Sequence, residues 1–139
     1  MNRSADREAP RHEVCAVPFR IRDGRMEFCL VSAERNSRWE LPFIALSDGE
    51  LPEAAARRRV WETTGLTCRG EPAAKLDEFI VRQNRQPTHI TVFLLQVESA
   101  DATQSPHRIR WCFAEEAQAR IRRKPMRRLI DLAVRQMDP

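Results

Sequence analysis

Two kinds of reactive side chain share one stretch of this sequence, residues 39–66, WELPFIALSDGELPEAAARRRVWETTGL. It carries the carboxylates Glu50, Glu53 and Glu62, with Arg58 and Arg59 within one helical turn of Glu62. Grouped carboxylates suit a hard cation such as Mg²⁺, which takes oxygen ligands in octahedral geometry. A cation held that way neutralises developing charge and makes a nucleophilic water. Guanidinium groups suit the opposite partner, because they present paired donors to an oxyanion. On a helix, positions 59, 62 and 63 share one side, being three and four apart. Arg59, Glu62 and Thr63 sum to zero charge there, and Arg58 adds a positive one. That balance predicts poor Mg²⁺ binding and a direct hold on phosphate. The plain alternative is that Arg58 and Glu62 form an ordinary surface pair, worth about 0.2–0.5 kcal/mol.

The elements that must position this stretch are legible from pattern. Residues 14–21 and 27–32 read as strands joined by a tight turn at Asp23-Gly24. Residues 34–38 read as a loop, and 39–42 as extended, since the residue before Pro42 avoids the helical region. A helix follows, with Pro52 suited to its first turn, Glu53 to its positive end and Gly65 to its C-terminal cap. Residues 76–82 and 90–97 read as strands around a turn at 84–87, and 109–113 as another beyond a loop over 99–107. Residues 115–122 read as a short helix. Met126, Leu129, Ile130, Ala133, Val134 and Met137 recur at three and four, which makes a last amphipathic helix. Strands, helix, strands, helix is the order of an α/β fold with helices packed on a mixed sheet. Residues 1–12 read as a polar flexible tail and 13–139 as one domain.

Composition sets limits. The chain has 139 residues, 42% hydrophobic and 32% charged, which suits one globular domain without staples. No run approaches the roughly 20 apolar residues of a membrane span. The N-terminus lacks the apolar centre of a secretory signal. The four cysteines, Cys15, Cys29, Cys68 and Cys112, make no C-x-x-C pair and read as buried thiols, consistent with a cytoplasmic setting. Arginine outnumbers lysine 22 to 2, yet net charge is +4, short of the dense patch of a nucleic-acid binder. Residues 106–139 hold nine Lys/Arg against four Asp/Glu. That surplus is either a solvated helix face or part of an anion site. His12, His89 and His107 lack the spacing of a metal cluster or triad. Trp39 and Trp61 either stack a base or pack locally.

The stretch resembles the Nudix box, G-x5-E-x7-R-E-U-x-E-E-x-G-U, where U is aliphatic. With Gly65-Leu66 set on its end, Glu50 takes the first glutamate, Arg58 the arginine, Val60 the aliphatic position and Glu62 the first glutamate of the pair. Trp39-x-Leu41-Pro42 and Gly49-Glu50 match the flanks. The departures are Phe43 and Ile44 for glycines, Arg59 for the glutamate after the arginine, and Thr63 for the last glutamate. Lost glycines restrict the backbone where a phosphate loop would bend, and their replacements fill space. The resemblance implies a Nudix fold, an α/β/α sandwich with a mixed β-sheet. It implies Arg58 bracing the loop through Glu50, while helical spacing lets Arg59 reach back to Glu62, three residues along.

The likeness extends over about residues 13–135, nearest to the branch acting on diphosphoinositol and dinucleoside polyphosphates. It implies that Arg20, Arg35, Arg38, Arg59, Arg85 and Lys124 contact a phosphate-rich small molecule. It implies Mg²⁺ or Mn²⁺ on Glu62 and Glu50, weakly, if the protein is active, with Glu53 adding through water and Asp101 available from the later loop. Glu62, Glu50 and Arg58 are then the catalytic candidates. The favoured expectation is a binder of nucleoside- or inositol-linked polyphosphate with weak or lost hydrolysis. The alternatives are an active pyrophosphohydrolase with a rearranged metal site, and an interaction protein. A homodimer is allowed; no membrane or specific nucleic-acid partner is expected.

Overall fold

In the computed structural model, residues 11–32, 38–70, 73–99 and 108–137 are described. Seven strands form one sheet: β1 (Arg11–Arg22), β2 (Arg25–Ser32), β3 (Phe43–Ala45), β4 (Thr67–Cys68), β5 (Ala74–Gln83), β6 (Gln86–Ser99) and β7 (Arg108–Phe113). Among the described residues three helices flank it: α1 (Pro52–Thr64), α2 (Ala114–Arg120) and α3 (Lys124–Met137). The main path runs β4-β6-β1-β2-β7, with β3 beside β1 and β5 beside β6. β1 and β6 are parallel from Arg11↔Thr88 to Phe19↔Gln96, and the remaining pairs are antiparallel.

Burial of both sheet faces explains the near-continuous apolar run of β1. Alternate residues point to opposite faces. Val14 and Ala16 pack with Ala55, Ala56 and Val60 of α1. Cys15, Val17 and Phe19 pack with Met126, Leu129, Ile130 and Ala133 of α3. The result is an α/β/α sandwich around a mixed sheet. Gly65 closes α1 at φ 76°, its N–H donating to the Trp61 carbonyl at 2.8 Å. Asp23 and Gly24 both have positive φ, 53° and 75°, the geometry of the expected two-residue hairpin.

Differences lie in short pieces. β1 takes in Arg11 and His12, expected in the tail, because β6 offers Thr88 and His89 as partners. β6 starts at Gln86, so the second hairpin turns on Asn84 and Arg85 alone, at φ 53° and 64°. β3 and β4 were outside the pattern reading, being too short to show a period. Residues 33–37 and 100–107 lie outside the described residues, Arg35, Asp101 and His107 with them. Among the described residues no helix is long and apolar enough to cross a membrane.

Leu129 is fully buried between α3 and the sheet. Leu129→Ala is expected to cost about 2–5 kcal/mol in urea unfolding; a loss under about 1 kcal/mol would mean that this face is not the packed one.

Candidate functional site

The first turn of α1 and the loop before it bring Glu50 up to the helix. Arg58 then takes both carboxylates that flank it. Its Nε and Nη2 donate to Glu50 at 2.9 and 3.1 Å, and its Nη1 donates to Glu62 Oε2 at 2.8 Å. The bidentate arm onto Glu50 crosses eight residues, so it braces the loop on the helix, as the resemblance implied. Arg58 beside it holds the Glu50 carboxyl below its ordinary value.

Arg59 sits where a metal-bearing family member has a glutamate. Its Nη1 lies 3.8 Å from Glu62 Oε1, and its Nε donates to the Phe43 carbonyl at 3.0 Å. Thr63 is 1% exposed, and its hydroxyl donates to the Arg59 carbonyl at 2.8 Å. Phe43 and Ile44 do more than occupy glycine positions. They form β3, paired with Cys15 and Val14 of β1. The space left among Val31, Glu40, Leu41, Pro42, Phe43, Arg59 and Thr63 is about 20 Å³, room for about one water.

A divalent cation does not fit this donor set. Mg²⁺ wants several oxygens free to turn toward it. Both Glu50 and Glu62 are engaged by Arg58. Glu53 points elsewhere, accepting from Arg57 at 3.2 Å and from the Ala73 N–H at 2.9 Å. Among the described residues no group of three or more His, Cys, Asp or Glu is placed to hold a metal ion.

An anion has more to hold. Glu40, half-buried, has its carboxyl pushed up by burial, with Arg123, Arg59 and Arg38 pulling the other way. Arg123 also lies over the Phe43 ring at 5.8 Å, and Arg108 over Trp39 at 5.4 Å. The fold thus gathers Arg38 and Arg59 of the nominated basic residues. It adds Arg123, which sequence reasoning passed over in favour of its neighbour Lys124. The arginine run 122–123 before the last helix was the available signal. Three others stand apart. Arg20 bonds Glu27 at 2.7 Å and lies 3.9 Å from the centre of the Trp111 ring. Arg85 is at the β5–β6 hairpin tip, beyond the last rung that β6 shares with β1. Lys124 lines a cavity between β5 and α3. His89 pairs with Glu78 at 2.7 Å and stacks on His12 at 4.6 Å, a grouping that a separation of 77 positions hid from the sequence. Trp61 is 60% exposed.

Comparisons agree with this architecture. Residues 10–133 match the family model described as NUDIX domain. Solved structures show the same fold. The Caenorhabditis elegans Ap4A hydrolase has a TM-score of 0.73 at 21% identity, over 92% of this chain and 98% of that one. A NUDIX hydrolase from Nitrosomonas europaea gives 0.69 at 24%, over 89% and 88%. The NUDIX domain of Shewanella oneidensis NrtR, complexed with ADP ribose, gives 0.74 at 17%, over 93% and 89%. A comparison with curated proteins finds no match.

Glu50 is depressed in the folded state, so its pairing with Arg58 stabilises above the unfolded carboxylate pKa. That contribution is lost as pH falls through the lower folded value. Arg58→Met is therefore expected to lower the melting temperature at pH 7 and to converge on the native protein in acid. A deficit unchanged from pH 7 to pH 3 would show that Arg58 acts by packing alone.

Proposed function

The chain belongs to the Nudix family, and on that footing we propose that it holds a nucleoside- or inositol-linked diphosphate or polyphosphate and hydrolyses it weakly or not at all. Members of this phosphohydrolase lineage generally use divalent metal ions. The observation that carries the reading is Arg59 3.8 Å from Glu62, with Thr63 buried and bonded back to its own helix, where the box pattern has two glutamates. The acidic cation trap has become a braced, cationic wall. Arg38, Arg59 and Arg123 are the proposed phosphate contacts, because guanidinium groups match phosphate oxygens in pairs. Arg58 holds the loop in place and keeps Glu50 and Glu62 turned away from an incoming anion. Glu62, Glu50 and Arg58 carry whatever turnover remains. A cytoplasmic setting accords with four free cysteines, of which burial pushes the Cys15 and Cys29 thiols up to about 12.

Phosphate release from nucleoside diphosphate derivatives and inositol pyrophosphates, with Mg²⁺ or Mn²⁺, is expected to stay well below about 1 s⁻¹. Faster turnover abolished by Glu62→Gln would refute the reading. Arg59→Glu is expected to raise Mn²⁺ affinity by calorimetry, since it restores an acidic group beside Glu62. Unchanged affinity would put the metal position elsewhere.

Glu40 competes with a bound anion for the same arginines. Tripolyphosphate is expected to stabilise the protein in a thermal-shift assay, and more strongly for Glu40→Gln. Because burial raises the Glu40 carboxyl, affinity of the native protein should climb toward the mutant's as pH is lowered. Equal affinities of the two proteins at pH 7 would remove Glu40, and the arginines around it, from the site.

A further inference from the structure

β5 lies at an edge of the sheet: among the described residues it pairs with β6 alone. Phe79, Ile80 and Val81, three residues in succession, line a single cavity of about 1040 Å³. Successive strand side chains point to opposite faces. A cavity touching three in a row therefore reaches around the strand's edge, where backbone N–H and C=O groups stand unpaired. Phe79 and Val81 pack inward against the core under α3. Ile80, on the other face, is 68% exposed. The register shift in β5 is confined to Lys75/Asp77, leaving residues 78–83 in regular pairing with β6.

The far wall of the cavity is positive. It carries Lys124, Arg127 and Arg128 with one carboxylate, Asp131. Asp131 is taken by Arg135 at 2.9 Å, and Arg128 approaches Asp77 at 3.4 Å. Lys124 and Arg127 are exposed and have no ion pair among the described residues.

We propose that this groove docks an extended acidic segment of a partner protein, which adds as a strand to the free edge of β5. Main-chain pairing then supplies affinity, and alternate side chains supply selectivity. Acidic residues on one side of the segment, the side of Phe79 and Val81, meet Lys124 and Arg127 of α3. Apolar residues on its other side cover Ile80. A second copy of this chain suits the groove less well, because two-fold pairing of β5 would bring one positive α3 wall toward another.

The test uses a fluorescent peptide alternating glutamate and valine, read by anisotropy, with amide shifts of the labelled full chain recorded alongside. Saturable binding below about 1 mM is expected, with amide shifts along β5. N-methylation at alternate residues should abolish it, because a methylated amide cannot join the ladder. Arg127→Glu should weaken it about tenfold, and a lysine–valine peptide should not bind. Equal binding of the N-methylated peptide, or shifts in residues 50–62 without shifts in β5, would overturn the proposal. So would competitive displacement by tripolyphosphate, which would give the groove to a phosphate ligand. The binding assay at Arg38, Arg59 and Arg123 is separate, so failure here leaves the polyphosphate reading standing.

Discussion

One guanidinium, Arg58, holds two carboxylates that belong to different pieces of chain, Glu50 from the loop and Glu62 from the next helical turn. The distances are those of charge-assisted bonds, which are stronger than neutral ones. The brace fixes the loop, whose turn is further closed by the Glu50 N–H donating to the Ser47 carbonyl at 3.0 Å. It also fixes the chemistry. A carboxylate whose oxygens point at a guanidinium is not turned toward a cation, and bringing a divalent ion in would bring it against Arg58 and Arg59 as well. On the proposed reading, the same interaction that gives α1 its place favours an anion in the site.

Steric filling reinforces that bias. Glycines before the box would leave a backbone free to bend and an open volume beside the helix. Phe43 and Ile44 instead commit the segment to β3, where the ladder with β1 holds it. The Phe43 carbonyl, held in that ladder, is the acceptor for Arg59. Thr63 then points into the small remaining space and satisfies itself on its own helix. Charge and shape are linked here, because the Arg59 guanidinium takes its backbone partner from Phe43 of β3.

The arginine excess resolves into several uses. Arg110 and Arg120 converge on Glu116, each at 2.8 Å, and Arg20 and Arg25 cover Trp111 and Phe113. Arginine suits such places because its planar group stacks on rings and still donates at its edge. Two further groups of basic residues lie around Glu40 and along the start of α3. An acidic residue inside the first of them, Glu40, keeps that region from being a uniform positive patch.

Local pattern sufficed for α1, α3 and the hairpin at Asp23-Gly24. Caps, apolar spacing at three and four, and turn chemistry act over a few residues, and a sequence displays them directly. The family resemblance implied the Glu50–Arg58 brace, and helical spacing implied the approach of Arg59 to Glu62. Pairing across the chain decided the rest. β3 and β4 exist because β1 and β6 offer them backbone partners, not because their own two or three residues carry a period. Arg123 joins Arg38 and Arg59, while Arg20, Arg85 and Lys124 lie elsewhere on the fold, since sheet register and helix placement set which side chains meet. His12 and His89 became neighbours for the same reason. Residue types fix what a group can bind; the ladder between distant strands fixes what it finds within reach.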